Sequence, residues 1–219
     1  KFDFPEHNAQ FNIAAFYQKF KDLQVSSLIN TQTLTFAVDN AASARSYGVE
    51  ADARWRPIPE LTLSAAGAYL NAEYNDFPTA QCYDGQTIAE GCVGGVQDLS
   101  GKFLQFAPKW TFTGNIDYVA ELGNGYSLTP GITISYLGKQ YLSLDNSPDL
   151  IQSSYAKIDA QISLYSESGD WSLSLIGRNL TDKITSPFAN KSTAVGGVGT
   201  FFRFTDPPRQ IMLRARKNF

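Results

Sequence analysis

Apolar and polar residues alternate along most of this chain, and the alternation is sharpest at its end. From Pro207 onward, Ile211, Leu213, Ala215, Lys217 and Phe219 form one set, and Gln210, Met212, Arg214, Arg216 and Asn218 form the other. A period of two with one greasy and one polar set marks a strand lying between two different surroundings. The run stops on an aromatic ring, a side chain that prefers the boundary between hydrocarbon and water.

The same two-faced pattern recurs upstream. Phe11, Ile13, Ala15 and Tyr17 alternate with Gln10, Asn12, Ala14 and Gln18, although Phe16 and Phe20 interrupt the polar side. Tyr47, Val49, Ala51, Ala53 and Trp55 oppose Ser46, Gly48, Glu50, Asp52, Arg54 and Arg56. The aromatic residues at the two ends of that apolar set are eight positions apart, which suits a tilted strand crossing hydrocarbon in about 9–11 residues. Leu61, Leu63, Ala65, Gly67 and Tyr69 give the weakest pattern, because alanines also occupy the opposite set. Trp110, Phe112, Gly114, Ile116 and Tyr118 oppose Lys109, Thr111, Thr113, Asn115 and Asp117. Three further runs start near Tyr126, Ala156 and Trp171; Ile132 and Ile134 alternate with Thr133 and Ser135, and Ile158 and Ile162 with Lys157, Asp159 and Gln161.

Between these runs the connections alternate in length. Short turns fall at 57–60, 121–125 and 166–170, and long polar segments at 24–43, 75–109, 140–151 and 183–206. Pro57 and Pro59 lack the amide donor a ladder needs, and Gly123-Asn124-Gly125 can adopt the positive φ of a tight turn. In 24–43, Leu34, Phe36 and Val38 are expected to extend a hairpin above the membrane. Short turns on one side and long loops on the other are the asymmetry of outer-membrane barrels, with the short turns periplasmic. The chain therefore reads as all-β: an antiparallel transmembrane β-barrel segment of about eight crossing strands plus a stub at Phe2–Phe4, with a periplasmic carboxy-terminus. The opening Lys1–Glu6 resembles the tail of a strand entering a turn, so the chain is expected to continue upstream.

Composition agrees. Charged residues make up 18% and aromatic residues 13%, against roughly 25% charged in soluble proteins. No apolar run is long enough for a membrane-spanning helix. The net charge of −3 gives no electrostatic footprint for nucleic acid.

Four local sequences, in order and well separated, resemble the carboxy-terminal half of TonB-dependent outer-membrane receptors. They are Ser46-Tyr47-Gly48-Val49-Glu50-Ala51, the segment from Leu99-Ser100-Gly101-Lys102 to Ala107-Pro108, Gly177-Arg178-Asn179-Leu180-Thr181-Asp182-Lys183, and Pro207-Pro208-Arg209 leading to Phe219. The resemblance implies that residues 1–219 are the last eight or nine of about 22 strands, with an amino-terminal plug and earlier strands outside this chain. It implies uptake of a scarce ligand, of the ferric siderophore, cobalamin or oligosaccharide class, energised by the TonB complex. The partners implied are outer-membrane lipid and lipopolysaccharide, the plug, TonB, the transported ligand, and the barrel-assembly machinery, which would read Phe219 as an assembly signal. No cofactor is implied.

Cys82 and Cys92 share one polar loop, ten positions apart. In an extracytoplasmic loop a disulfide is expected, a clip worth about 2–3 kcal/mol at this loop length. With a single histidine, His7, near the opposite end, two cysteines do not complete a zinc site and a nucleophile has no base. Glu50 and Asp52 share a face, yet Arg54 and Arg56 beside them argue for neutralised charge over acid–base work. No enzyme is expected.

Glu50, Asp52, Arg54, Arg56, Asp117, Lys157, Asp159, Arg178, Arg214 and Arg216 all fall on the face assigned to the lumen. They would contact a plug or polar substrate, or, the reading favoured here, pair with opposite charges across neighbouring strands. The loop residues Tyr83, Phe103, Phe106, Tyr141, Phe201, Phe202 and Arg203 are candidate ligand contacts, with interface anchoring or loop packing as the alternative. Gly196-Gly197-Val198-Gly199 lacks the strand-to-helix setting of a phosphate loop. Two other functions fit the pattern less well: a passive or structural eight-stranded barrel, and a soluble β-sandwich binding glycans.

Overall fold

The computed structural model of the protein describes residues 1–30, 35–191 and 200–218, with backbone alone for 25–30 and 35–41. In chain order its strands are β1 (Phe2–Phe4), β2 (Ala9–Asn30), β3 (Thr35–Ile58), β4 (Leu61–Asp76), β5 (Ala80–Gln81) and β6 (Val96–Gln97). They continue as β7 (Trp110–Tyr118), β8 (Ala120–Glu121), β9 (Ser127–Leu137), β10 (Gln140–Tyr141) and β11 (Ile151–Gln152). The last are β12 (Tyr155–Tyr165), β13 (Trp171–Arg178), β14 (Phe188–Lys191), β15 (Phe201–Phe204) and β16 (Gln210–Lys217).

One sheet runs β1-β2-β3-β4-β7-β9-β12-β13-β16, with β8 beside β9. Each strand follows its predecessor by a hairpin or by a loop that returns to the neighbouring position, so all the pairings are antiparallel. Among the described residues no helix is long and apolar enough to cross a membrane. Among the described residues β1 pairs only with β2 and β16 only with β13, which leaves the sheet open at both edges.

Register turns the sequence alternation into two continuous surfaces. Ile13 faces Ala51, Ala51 faces Gly67, Gly67 faces Phe112, Phe112 faces Tyr136, and Tyr136 faces Ala156. Ile162 then meets Leu175, and Leu175 meets Leu213. The apolar sets therefore share one face, and their exposure is that of side chains with no protein over them: Trp110 is 57% and Leu213 72% accessible. On the other face a polar ladder crosses the middle of the sheet, where Asn115 Nδ2 donates to Ser64 Oγ at 3.2 Å and Thr133 Oγ1 donates to Asn115 Oδ1 at 2.8 Å. A one-residue slip would exchange the two surfaces, so the difference between them pins the register.

Aromatic residues bound the apolar face at both ends. Tyr17 and Tyr47 stack at 6.3 Å, and Tyr69 and Trp110 meet at 4.8 Å, at the end carrying the long loops. Tyr126 and Trp171 meet at 6.0 Å near the short turns. At that short-turn end Asn124 takes φ 73° and Gly169 φ 73°, and Asn218 N–H donates to Asp170 O at 2.7 Å. The last described strand thus finishes on the short-turn side, as the alternation of connections requires.

The sheet has little protein-covered core of its own. Ala42, Ala44, Tyr74, Phe77, Ala80 and Leu99 form one buried cluster, packed by Leu23, Leu104 and Leu144. Leu142, Leu150 and Ala189 form a second, packed by Phe201. Both lie where the long loops fold over the ends of the strands. The β2–β3 ladder runs on to the pair Asn30–Thr35, with register shifts near Leu23 and Asn30, so the hairpin extension expected at Phe36 and Val38 is present, and Leu34 lies outside the described residues.

Candidate functional site

The polar face carries the predicted wall charges. Glu50 and Asp52 line a depression of about 370 Å3 with Ala66, Ala68, Thr111 and Thr113, and Asn12 Nδ2 donates to Asp52 at 2.8 Å. Arg54 and Arg56 lie near the short-turn end, in a smaller depression with Asp3, and Arg56 donates to Pro59 O at 2.8 Å. Asp117 lies against Gly131, where an added Cβ would stand 2.8 Å from its carboxylate. Arg214 faces Ser174 and Arg216 faces Ser172 across the ladder, while Arg178 faces Gln210.

This arrangement corrects the expectation of cross-strand charge pairing. The ion pairs among the described residues are Lys1–Asp3, Arg45–Glu73, Lys157–Asp206 and Arg209–Asp182, and none joins two of the predicted wall charges. Register decides this: where these charges are paired across the ladder, serine, threonine, alanine, asparagine, glutamine or glycine stands opposite, and no complementary charge. Lys157 alone is paired, and its partner belongs to the last loop, Nζ to Asp206 Oδ2 at 2.8 Å. Burial would raise the Asp206 carboxyl, but hydrogen bonds from Lys157 and Thr185 outweigh it and hold that group below its ordinary value.

Above the wall the long loops are tied into one layer. Cys82 and Cys92 form a disulfide with Cα atoms 5.7 Å apart. Inside that loop the Thr87 N–H and hydroxyl donate to Glu90 and hold its carboxyl below the usual range. Tyr83 is partly covered, and burial, followed by the neighbouring Glu90 carboxylate, pushes its hydroxyl up. Gln97, 7% accessible, donates from one amide nitrogen to Gln81 O and to Asp145 O, each at 2.8 Å. Arg203 reaches the carbonyls of Asp149 and Ile151, so it clamps two loops together.

The loop aromatics separate into three groups. Phe201 packs inward on Leu142, Leu150 and Ala189. Phe106 stacks on Phe188 at 6.5 Å, and Phe188 also meets Phe202 at 6.1 Å and Phe204 at 6.0 Å, forming an exposed aromatic patch. Phe188 and Phe204 escape sequence reasoning because only the β14–β15 pairing brings them together. Phe103 bridges to Glu73, the register partner of Arg45, and so stands on the side of Tyr47 and Tyr69, facing away from the polar wall. Tyr141 lies near it, lining the same depression as Trp110 and Tyr136. Gly196–Gly199 and Phe219 lie outside the described residues.

Comparison with known proteins settles the class. The family model for the TonB dependent receptor-like β-barrel matches residues 1–180. This chain belongs to the TonB-dependent receptor family. The pesticin receptor of Yersinia pestis is 26% identical over 188 residues, covering 84% of this chain and 24% of that protein. The chain thus spans about a quarter of the length of the curated relatives it matches. Among solved structures, the ferric yersiniabactin uptake receptor FyuA of Yersinia pestis superposes with a TM-score of 0.72 at 21% identity, over 97% of this chain and 28% of that one. The siderophore receptor PiuA of Acinetobacter baumannii gives 0.67 at 20% identity, over 97% and 26%. The family is one of outer-membrane transporters, not enzymes.

In this TonB-dependent receptor segment, the motifs that carry the resemblance are structural joints. Gly48 sits under the Phe16 ring, and a Cβ there would overlap Tyr69 O and stand 3.0 Å from that ring. Leu99 is buried, Gly101 takes φ 74°, and the segment after it rejoins β4 through Tyr74 N to Lys102 O at 2.9 Å and Leu104 N to Ala72 O at 3.1 Å. Asn179, 6% accessible and at φ 48°, donates from its amide to Lys183 O and Pro207 O at 3.0 and 3.2 Å. Its own N–H donates to Asp159 Oδ1 at 2.7 Å. Asp182 accepts from Arg209 N–H at 2.9 Å. The two ends of the last long loop are thereby pinned beside the wall.

Proposed function

We propose that this chain supplies part of the wall and the extracellular loops of a TonB-energised importer, and that its ligand is a ferric siderophore. The observation that carries the reading is the polar face itself. Arg54, Arg178, Arg214 and Arg216 point away from the lipid side with no carboxylate partner among the described residues, beneath a loop layer bearing an aromatic patch. Uncompensated guanidinium groups suit an anionic ligand or the acidic groups of a plug domain. Relatives named for ferric yersiniabactin, ferric preacinetobactin and ferric citrate support the iron class over cobalamin or oligosaccharide.

The open sheet supports a larger barrel closed by further strands, because unpaired edges are a liability that closure removes; it disfavours a self-contained eight-stranded barrel. The plug, the TonB contact and recognition of Phe219 by the assembly machinery belong to the same proposal. The test is uptake by the whole receptor in a strain lacking its own siderophore receptors, with labelled ferric yersiniabactin and ferric citrate as probes. Accumulation of either complex that vanishes when TonB is deleted is the expected result. Accumulation unaffected by that deletion would contradict energised import.

A further inference from the structure

The middle long loop, 140–152, is a polar surface connection by sequence and a buried one in the structure. Leu142 and Leu150 are each 1% accessible. The loop is closed on itself: Leu142 N–H donates to Leu150 O at 2.8 Å, and one Asp145 carboxylate oxygen accepts from the Ser143 hydroxyl at 2.6 Å and from Ser147 N–H at 3.1 Å. Loops ordinarily run exposed over a surface, so burial of this kind requires neighbours that cover it.

Its neighbours are the other two long loops. On one side stands the base of the disulfide loop. Gln97 donates to Asp145 O at 2.8 Å, Asn146 Nδ2 donates to Phe103 O at 3.0 Å, and Phe106 N–H donates to Tyr141 O at 2.9 Å. Leu144 packs there on the buried cluster that holds Phe77 and Leu99. On the other side stands the last loop. Ser186 N–H donates to Gln152 Oε1 at 2.8 Å, Arg203 donates to the carbonyls of Asp149 and Ile151, and Ala189 and Phe201 pack on Leu142 and Leu150. The outer two loops also meet directly, at the Phe106 and Phe188 rings.

These ties set the cost of moving one loop alone. Withdrawing the last loop uncovers Leu142 and Leu150. Withdrawing the base of the disulfide loop uncovers Leu144 and leaves Asp145 O and Tyr141 O without their donors. Exposed apolar surface and unpaired buried carbonyls both oppose such a step. Segments that open singly have few buried contacts, and none of these three is of that kind.

We propose that 77–81, 96–106, 140–152 and the described parts of the last loop, 183–191 and 200–206, open and close as one cooperative unit, with 140–152 as its middle member. Whatever displaces one of these loops then displaces all three, so they act as a single lid and not in succession. The tip of the disulfide loop, 82–95, lies outside the unit, held by its own disulfide and by the bonds from Thr87 to Glu90.

Hydrogen exchange read by mass spectrometry on the full-length receptor in detergent, with no ligand added, tests this. Each variant is first shown to keep the gel mobility of a folded barrel. Arg203→Ala, in the last loop, is expected to speed exchange about fivefold, by the same factor in 96–106 and 140–152 as in 183–191. Gln97→Ala, on the opposite side and buried, is expected to speed it about tenfold, again equally in 96–106, 140–152 and 183–191. Exchange in β7 and β9 is expected to stay unchanged in both variants. Acceleration that fails to reach the outer loop opposite the substitution, or no acceleration in any loop, overturns the cooperative unit. Acceleration that extends into β7 and β9 overturns its independence from the wall.

Discussion

Lys157 Nζ lies 2.8 Å from Asp206 Oδ2, joining the polar face of β12 to the last long loop. Thr185 Oγ1 donates to the same carboxylate, and Asp206 N–H donates to Thr185 O at 2.9 Å. One carboxylate therefore anchors the loop to the wall. Its pKa is held below the ordinary value, so its stabilising contribution is present above the unfolded carboxylate range and is lost as pH falls through the lower folded value. Hydrogen exchange in 183–206 of the whole receptor, taken relative to the intrinsic amide rate at each pH, should be unchanged from about pH 7 to 5 and rise only below about pH 4. Asp206→Ala should raise it at neutral pH, by about 1 kcal/mol or less for a partly exposed pair, and should remove the acid step.

Gln97 makes a second long-range tie. Its amide donates to the carbonyls of Gln81, 16 positions before it, and of Asp145, 48 positions after it, so Gln97→Ala removes both bonds from a buried place. A local loss of about 1–3 kcal/mol is expected, seen as faster proteolysis at 80–97 and 140–151 while the thermal transition of the barrel stays in place.

The disulfide closes a loop of ten positions. Replacing Cys82 and Cys92 by serine should cost the loop about 2–3 kcal/mol. Because the loop's own capping interactions through Thr87 and Glu90 remain, the expected outcome is protease sensitivity confined to that loop, with assembly into the membrane intact.

At Gly48 the constraint is steric. A Cβ would overlap the Tyr69 carbonyl and press on the Phe16 ring, so Gly48→Ala should move backbone or ring and destabilise the wall by about 1–3 kcal/mol. The measurement is the temperature at which the whole receptor loses its folded mobility on a gel. Gly67→Ala, with its nearest atom at 3.4 Å, should have a far smaller effect and serves as the comparison.

The strands were legible because each lies between lipid and water, which forces a period of two on residues such as Tyr47, Val49 and Trp55 against Ser46, Glu50 and Arg54. The long-loop layer was not, for a physical reason: β5–β6, β10–β11 and β14–β15 are two to four residues long, too short for any period, and are held by contacts such as Gln97 to Asp145. The charge pairing expected on the polar face failed because alternation tells which face Arg214 occupies but not that Ser174 is its neighbour. The aromatic patch was half seen. Phe106 and Phe202 stand out as loop aromatics, whereas Phe188 and Phe204 acquire meaning only through the hairpin that brings them together. The cysteine pair, with both members in one loop, was readable in full.

One face of this sheet meets lipid and the other the interior of a barrel, and adjacent residues Ile132 and Thr133 separate the two. Spin labels placed singly at these positions in the whole receptor, reconstituted in bilayers, can be probed with oxygen, which concentrates in hydrocarbon, and with a water-soluble nickel complex. The label at Ile132 should be relaxed mainly by oxygen, and the label at Thr133 should be shielded from it. A label at Thr133 more exposed to oxygen than the one at Ile132 would contradict the account.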